Sequence, residues 1–136
     1  MEGGTCHLIL RLDPKGPSEP RIGPLTLASV DSTGSITVNC TDVSLYSVAL
    51  STGNGTYSQR RMVSGDNYLS YNLYRDAACQ QVWGDGISDS SFTVTLTNPS
   101  NGYNNVHTVY GRIPLSIQRA AHAGIYSDTI TVTVSY

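Results

Sequence analysis

The side chains of this 136-residue chain best suited to metal binding or catalysis are three histidines, three cysteines and a scatter of aspartates. Structural zinc sites draw on paired ligands a few residues apart. His7, His107 and His122 lie far from one another, and neither Cys-x-x-Cys nor His-x-x-x-His occurs. Asp66, Asp76, Asp85, Asp89 and Asp128 could offer oxygens to calcium, yet none falls in an Asp-x-Asp-x-Asp-Gly loop. Asp85, within Trp83-Gly84-Asp85-Gly86, is better placed to cap a turn by accepting from nearby backbone N–H groups. No serine stands in a Gly-x-Ser-x-Gly elbow, and glutamate occurs only at Glu2 and Glu19. These residues point to no catalytic set, no metal site and no cofactor.

Aromatic stacking on sugars is the other chemistry on offer. Tyr68, Tyr71, Tyr74 and Trp83 lie close in sequence. Tyr71 shares strand parity with Leu69 and Leu73 and is expected to face inward, which leaves Tyr68 and Tyr74 as the candidate surface aromatics. Core packing with the hydroxyl at the rim is the commoner fate of such residues. Asn54-Gly55-Thr56 has the form of a glycosylation acceptor.

The elements that must carry these residues alternate with period two almost throughout. Leu8/Leu10/Leu12, Ile36/Val38/Cys40, Tyr46/Val48/Leu50, Leu69/Tyr71/Leu73, Phe92/Val94/Leu96 and Val109/Gly111/Ile113 each mark one face of a short strand. Pro14, Gly16, Pro17, Pro20 and Pro24 interrupt regular structure until Leu25-Thr26-Leu27. Only residues 116–123 have the pattern of a helical turn. Seven or eight strands with turn signals every ~10–15 residues point to a β-sandwich or barrel, and the all-β chain is read as an immunoglobulin-like β-sandwich, with residues 1–136 as a single domain. The core is expected to include Val48, Leu50, Phe92, Val94, Ile113, Ile130, Val132 and Val134.

Charged residues are 13 % of the chain against the usual ~25 %, and polar uncharged types replace them. That balance suits an exported β-protein. A net charge of −2 offers no footprint for nucleic acid. Arg60-Arg61 is read as a solvated strand end. No apolar run approaches the ~18 residues of a membrane span, and Met1–Thr5 lacks the features of a signal peptide.

Cys6 opens the first apolar segment and Cys40 closes the run from Ser35, which suggests a bridge between strands. Closing such a loop stabilises by about 3–4 kcal/mol in the chain-entropy model. Two buried free thiols are the alternative. Cys79, in Ala77-Ala78-Cys79-Gln80, is left as a free thiol, an intermolecular bridge or a swapped partner.

The most regular strand pattern is also the last. Tyr126, Ile130, Val132, Val134 and Tyr136 share one face, with Thr and Ser on the other. A strand of this kind is expected inside a sheet, paired on both sides. In an immunoglobulin-like sandwich one more strand should follow it, and an apolar edge left open is a liability unless another chain covers it. Pairing wholly within its own sheet is the alternative.

Arg61-Met62, Leu69–Asp76 and Val82-Trp83-Gly84-Asp85-Gly86, followed by Val109–Pro114, Ala123–Asp128 and the terminal Thr/Val strand, resemble the spore coat protein U domain. That family includes the pilins of archaic chaperone–usher fimbriae. The resemblance covers roughly residues 34–136, and the Cys6/Cys40 pair looks like the family's cysteine pair. The first 33 residues depart from it, with Leu25-Thr26-Leu27-Ala28 where the family has a Phe-Gly pair.

The resemblance implies an incomplete sandwich whose last strand is supplied by a donor, with Ile130, Val132, Val134 and Tyr136 beside the groove. It implies a structural or adhesive pilus subunit supporting adhesion and biofilm formation. Its partners would be a periplasmic chaperone, an usher and neighbouring pilins, without nucleic acid or membrane insertion. It would pass through the periplasm to the cell-surface pilus. Only five residues precede Cys6, and they form no alternating apolar strand, so the chain as given is expected to accept a strand and not to donate one. A secreted carbohydrate-binding module or a spore-coat structural protein, each with a closed sandwich, is the alternative.

Overall fold

A computed structural model describes residues 5–13, 30–88, 90–114 and 124–136. All regular elements among them are strands: β1 (Thr5–Asp13), β2 (Val30–Thr41), β3 (Leu45–Leu50), β4 (Arg60–Ser64), β5 (Asn67–Tyr74), β6 (Val94–Thr97), β7 (Asn104–Ile113) and β8 (Val132–Ser135). They form a five-stranded sheet in the order β1-β2-β7-β5-β4 and a three-stranded sheet in the order β6-β3-β8. Every strand pairing is antiparallel. The expected residues 25–27 strand, the residues 116–123 turn and His122 lie outside the described residues.

Alternation decides which faces meet. In β2, Ile36, Val38 and Cys40 are buried while Ser35, Thr37 and Asn39 remain half-exposed. Tyr46, Val48 and Leu50 of β3 bury the facing surface, and Trp83 and Val109 complete this cluster. Val94, Leu96, Ile130, Val132 and Val134 pack against it. A second cluster holds Met62, Leu69, Ile113 and Tyr126, with Tyr71 against it. Cys6 pairs directly with Cys40 in the β1–β2 register, and the two form a disulfide.

Three expectations change. Arg60 is not at a solvated strand end: it is 0 % exposed, while Arg61 faces solvent and sits over the Tyr68 ring at 4.5 Å. Adjacent strand residues face opposite ways, so one of the pair had to point inward. Phe92 is not core: it is 41 % exposed beneath Arg75, with Ser91 buried instead. It makes an isolated bridge to Trp83 before β6 begins at Val94, so the β6 alternation does not extend back to it. Finally, the last strand is shorter than its pattern and sits at a sheet edge. Ser127 bridges Val63 of β4 in the larger sheet, and only Val132–Ser135 pairs with β3 in the smaller one. The segment therefore crosses between sheets, placing Tyr126 in the second cluster.

Candidate functional site: an apolar cleft beside the last strand

β8 pairs with β3 on one side, Val132 opposite Leu50 and Ser135 opposite Ser47. Among the described residues no strand pairs with its other side. Backbone N–H and C=O groups on such an edge form a ready template for another strand.

A cleft of about 270 Å³ lies between the two sheets against this segment. One wall comes from Ile36 of β2, Val109 and Gly111 of β7, and Tyr71 and Leu73 of β5. The other comes from Leu50 of β3 with Ile130 and Val132. A cavity of about 150 Å³ lined by apolar side chains already takes up benzene, so the space suits large apolar side chains. Gly111 contributes no side chain to its wall. A Cβ there would meet only ordinary contacts, Leu73 Cδ2 at 3.5 Å and backbone oxygens at 3.8 and 3.9 Å. Packing therefore does not demand glycine at this position, and its effect is to leave room in the cleft.

Asp128 is the one charged residue among the described residues of the lining. Its carboxylate accepts from the Tyr71 hydroxyl at 2.7 Å, from Asn54 N–H at 3.0 Å and from Thr129 N–H at 2.8 Å. Burial, and then the hydrogen bond to Asp128, push the Tyr71 phenol well above the usual tyrosine range, so it acts as a neutral donor. Gly53 lets the neighbouring turn approach: it adopts φ +59°, and a Cβ there would stand 2.2 Å from Asp128 Oδ2. The same turn holds the next residues, with Ser51 N–H donating to Thr131 O at 2.9 Å and Thr131 N–H to Ser51 Oγ at 2.8 Å.

Of the expected groove residues, Ile130 and Val132 line the cleft. Val134 packs against the core, and Tyr136 is 60 % exposed beyond the end of β8. Tyr68 is 57 % exposed, whereas Tyr74 is half-buried in a second, polar pocket that it lines together with Tyr71, Gln59, Ser70, Asn72 and Pro114. Trp83 is fully buried and donates its indole N–H to Val48 O. Neither Tyr68 nor Trp83 is among the described residues lining the pocket that Tyr71 and Tyr74 share. Asp85 caps its turn, accepting from Ile87 N–H, Ser88 N–H and the Ser91 hydroxyl. Cys79 is a half-exposed free thiol whose pKa burial raises. No group of three or more His, Cys, Asp or Glu side chains among the described residues could hold a metal ion. Sequence reasoning placed Gly111 on a strand face and Arg60 at a strand end, and gave neither a functional part. A glycine at an inward strand position was the signal for the first, and the opposed facing of Arg60 and Arg61 was the signal for the second.

The Spore Coat Protein U domain family model matches residues 22–133. The chain belongs to this family. Among solved structures, this Spore Coat Protein U domain is similar to a chain of the crystal structure of the CsuC–CsuE chaperone–tip adhesion subunit pre-assembly complex, from archaic chaperone–usher Csu pili of Acinetobacter baumannii. The TM-score is 0.62 at 24 % identity, covering 98 % of this chain. The Spore Coat Protein U domain spans 40 % of that chain's length, and the likeness is one of fold. Comparison with the curated proteins gave no match.

Proposed function

We propose that this chain is a subunit of a chaperone–usher pilus that accepts a β-strand from another chain. The open edge of β8 beside the apolar cleft carries this reading. Membership of the Spore Coat Protein U domain family supports it, as does a shared fold with a chain from a chaperone–pilus subunit complex. The incoming strand pairs its backbone with Val132–Ser135 and on towards Tyr136, and alternate apolar side chains enter the cleft against Ile130 and Val132. Val134 supports that edge from the core side. Four or five apolar side chains, each worth ~1.5–3 kcal/mol when fully buried, would add as much as the ~5–15 kcal/mol stability of an entire domain. The joint would then be close to permanent.

In this reading residues 1–136 act as one pilin-like unit. The donors are a periplasmic chaperone during transit and a neighbouring pilin after passage through the usher. The destination is the extracellular pilus, where the subunit supports adhesion and biofilm formation. A Cys6–Cys40 disulfide suits an oxidising compartment. The reading requires no catalysis, cofactor, nucleic acid or membrane insertion.

Gly111→Leu tests it by filling the cleft from a position where a Cβ meets only ordinary contacts. The wild-type chain should take up a synthetic peptide of alternating valine and threonine, detected by gel filtration and by a raised urea midpoint. The variant should melt like wild type alone and bind at least about tenfold more weakly, the equivalent of ~1.4 kcal/mol. A wild-type chain indifferent to the peptide, or a Gly111→Leu chain that binds it equally well, would sink the proposal.

A further inference from the structure

Arg60 bonds to no carboxylate in the described residues, although it is fully buried. Its guanidinium donates from Nε and Nη2 to Ser51 O at 3.0 and 2.8 Å, from Nη2 to Trp83 O at 2.6 Å, and from Nη1 to Asn72 Oδ1 at 2.7 Å. The Tyr57 ring lies 5.4 Å from its Cζ. Burial pulls its pKa below the usual arginine value. An apolar side chain would fill this space without the cost of desolvating a charge. What it could not do is join three separate stretches of chain: the end of β3, β5 and the Trp83 segment.

Ser51 is the branch that leads to the cleft. Arg60 holds its carbonyl, while its N–H and hydroxyl hold Thr131. Thr131 stands between Ile130 and Val132, the residues of the last segment that line the cleft. β8 itself is only four residues long with one neighbour among the described strands, the kind of element that frays first.

We infer that Arg60 is a positioning residue for strand uptake: through Ser51 it holds Thr131, and with it Ile130 and Val132, in the register an incoming strand pairs with. The inference rests on the strand-acceptor reading. Apparent affinity is lowered by the fraction of molecules whose binding edge is out of place. Once bound, the added strand holds the edge from its other side. Loss of the Arg60–Ser51–Thr131 connection should therefore slow association and leave dissociation nearly unchanged.

Arg60→Lys keeps the charge but loses the fork, and Ser51→Ala removes only the hydroxyl, which accepts from Thr131 N–H at 2.8 Å and, at 3.4 Å, from Gly53 N–H. Stopped-flow uptake of the alternating valine–threonine peptide should be about tenfold slower for Arg60→Lys and severalfold slower for Ser51→Ala, with dissociation within about twofold of wild type. Amide exchange should quicken at Thr131 and Thr133 and stay unchanged at Ile36 and Val38. The double variant should be no slower than Arg60→Lys alone. Wild-type association rates in either folded variant would overturn the inference, as would equal loss of protection at Ile36 and Val38. If Arg60→Lys fails to fold, Ser51→Ala decides alone. A wild-type chain that ignores the peptide removes the strand-acceptor reading and the inference with it. Uptake by wild type at a rate the variants match overturns the inference only.

Discussion

The Tyr71 hydroxyl, carried by the five-stranded sheet, donates at 2.7 Å to Oδ2 of Asp128, in the segment that crosses to the three-stranded sheet. This bond spans the place where the chain changes sheets, and both residues line the cleft. A hydrogen bond to a charged group contributes ~1.5–3 kcal/mol, with solvent access at Asp128 favouring the lower end. Tyr71→Phe should therefore lower stability by about 1.5 kcal/mol in a urea melt without altering the far-UV spectrum. An unchanged midpoint would show that Asn54 N–H and Thr129 N–H alone hold Asp128.

Gly53 should resist substitution. A left-handed residue with a Cβ costs roughly 1–2 kcal/mol, and here the Cβ would also collide with Asp128 Oδ2 at 2.2 Å. Gly53→Ala should destabilise by at least about 2 kcal/mol. Gly65, with the same φ of +59° and nothing within 4 Å, is the control: Gly65→Ala should cost only the backbone term. Equal losses at the two sites would remove the clash from the account.

Reduction of the Cys6–Cys40 disulfide releases a constraint spanning 34 residues. The chain-entropy model gives about 3–4 kcal/mol for a loop of this size. Urea melts with and without dithiothreitol should differ by that amount, and Cys79→Ser should leave the difference intact, because Cys79 is free. A melt insensitive to reductant would show that the pairing contributes nothing to stability.

His107 should make the fold sensitive to acid. Its Nε2 lies 2.5 Å from the hydroxyl of buried Tyr46, and burial lowers its pKa below 6.5. Because the folded state disfavours the protonated imidazole, the unfolded chain binds more protons as pH falls below 6.5. Stability should be level above that pH and decline as pH falls through 6.5 toward the folded-state value. His107→Gln should flatten that part of the profile, measured as the urea midpoint between pH 7.5 and 5. An identical slope in wild type and variant would assign the decline to another group.

The alternation in β2 and β3 was enough to predict which residues enter the core, because a strand turns successive side chains to opposite faces whatever its partner. Ile36, Val38, Tyr46, Val48 and Leu50 are buried as that rule requires. The Asp85 turn was legible for a similar reason, since its hydrogen bonds reach only two to six residues along the chain. Alternation does not name partners. It could not reveal that Ser127 bridges β4 while Val132 pairs with β3, nor that Arg60 would find its acceptors at Ser51, Asn72 and Trp83. Phe92 followed the parity of Val94 and Leu96, yet the isolated bridge to Trp83 turned it outward. Period-two patterning is a local property of the backbone and is written in the sequence. Pairing across the fold depends on which distant segments fit together, and only the folded chain decides that.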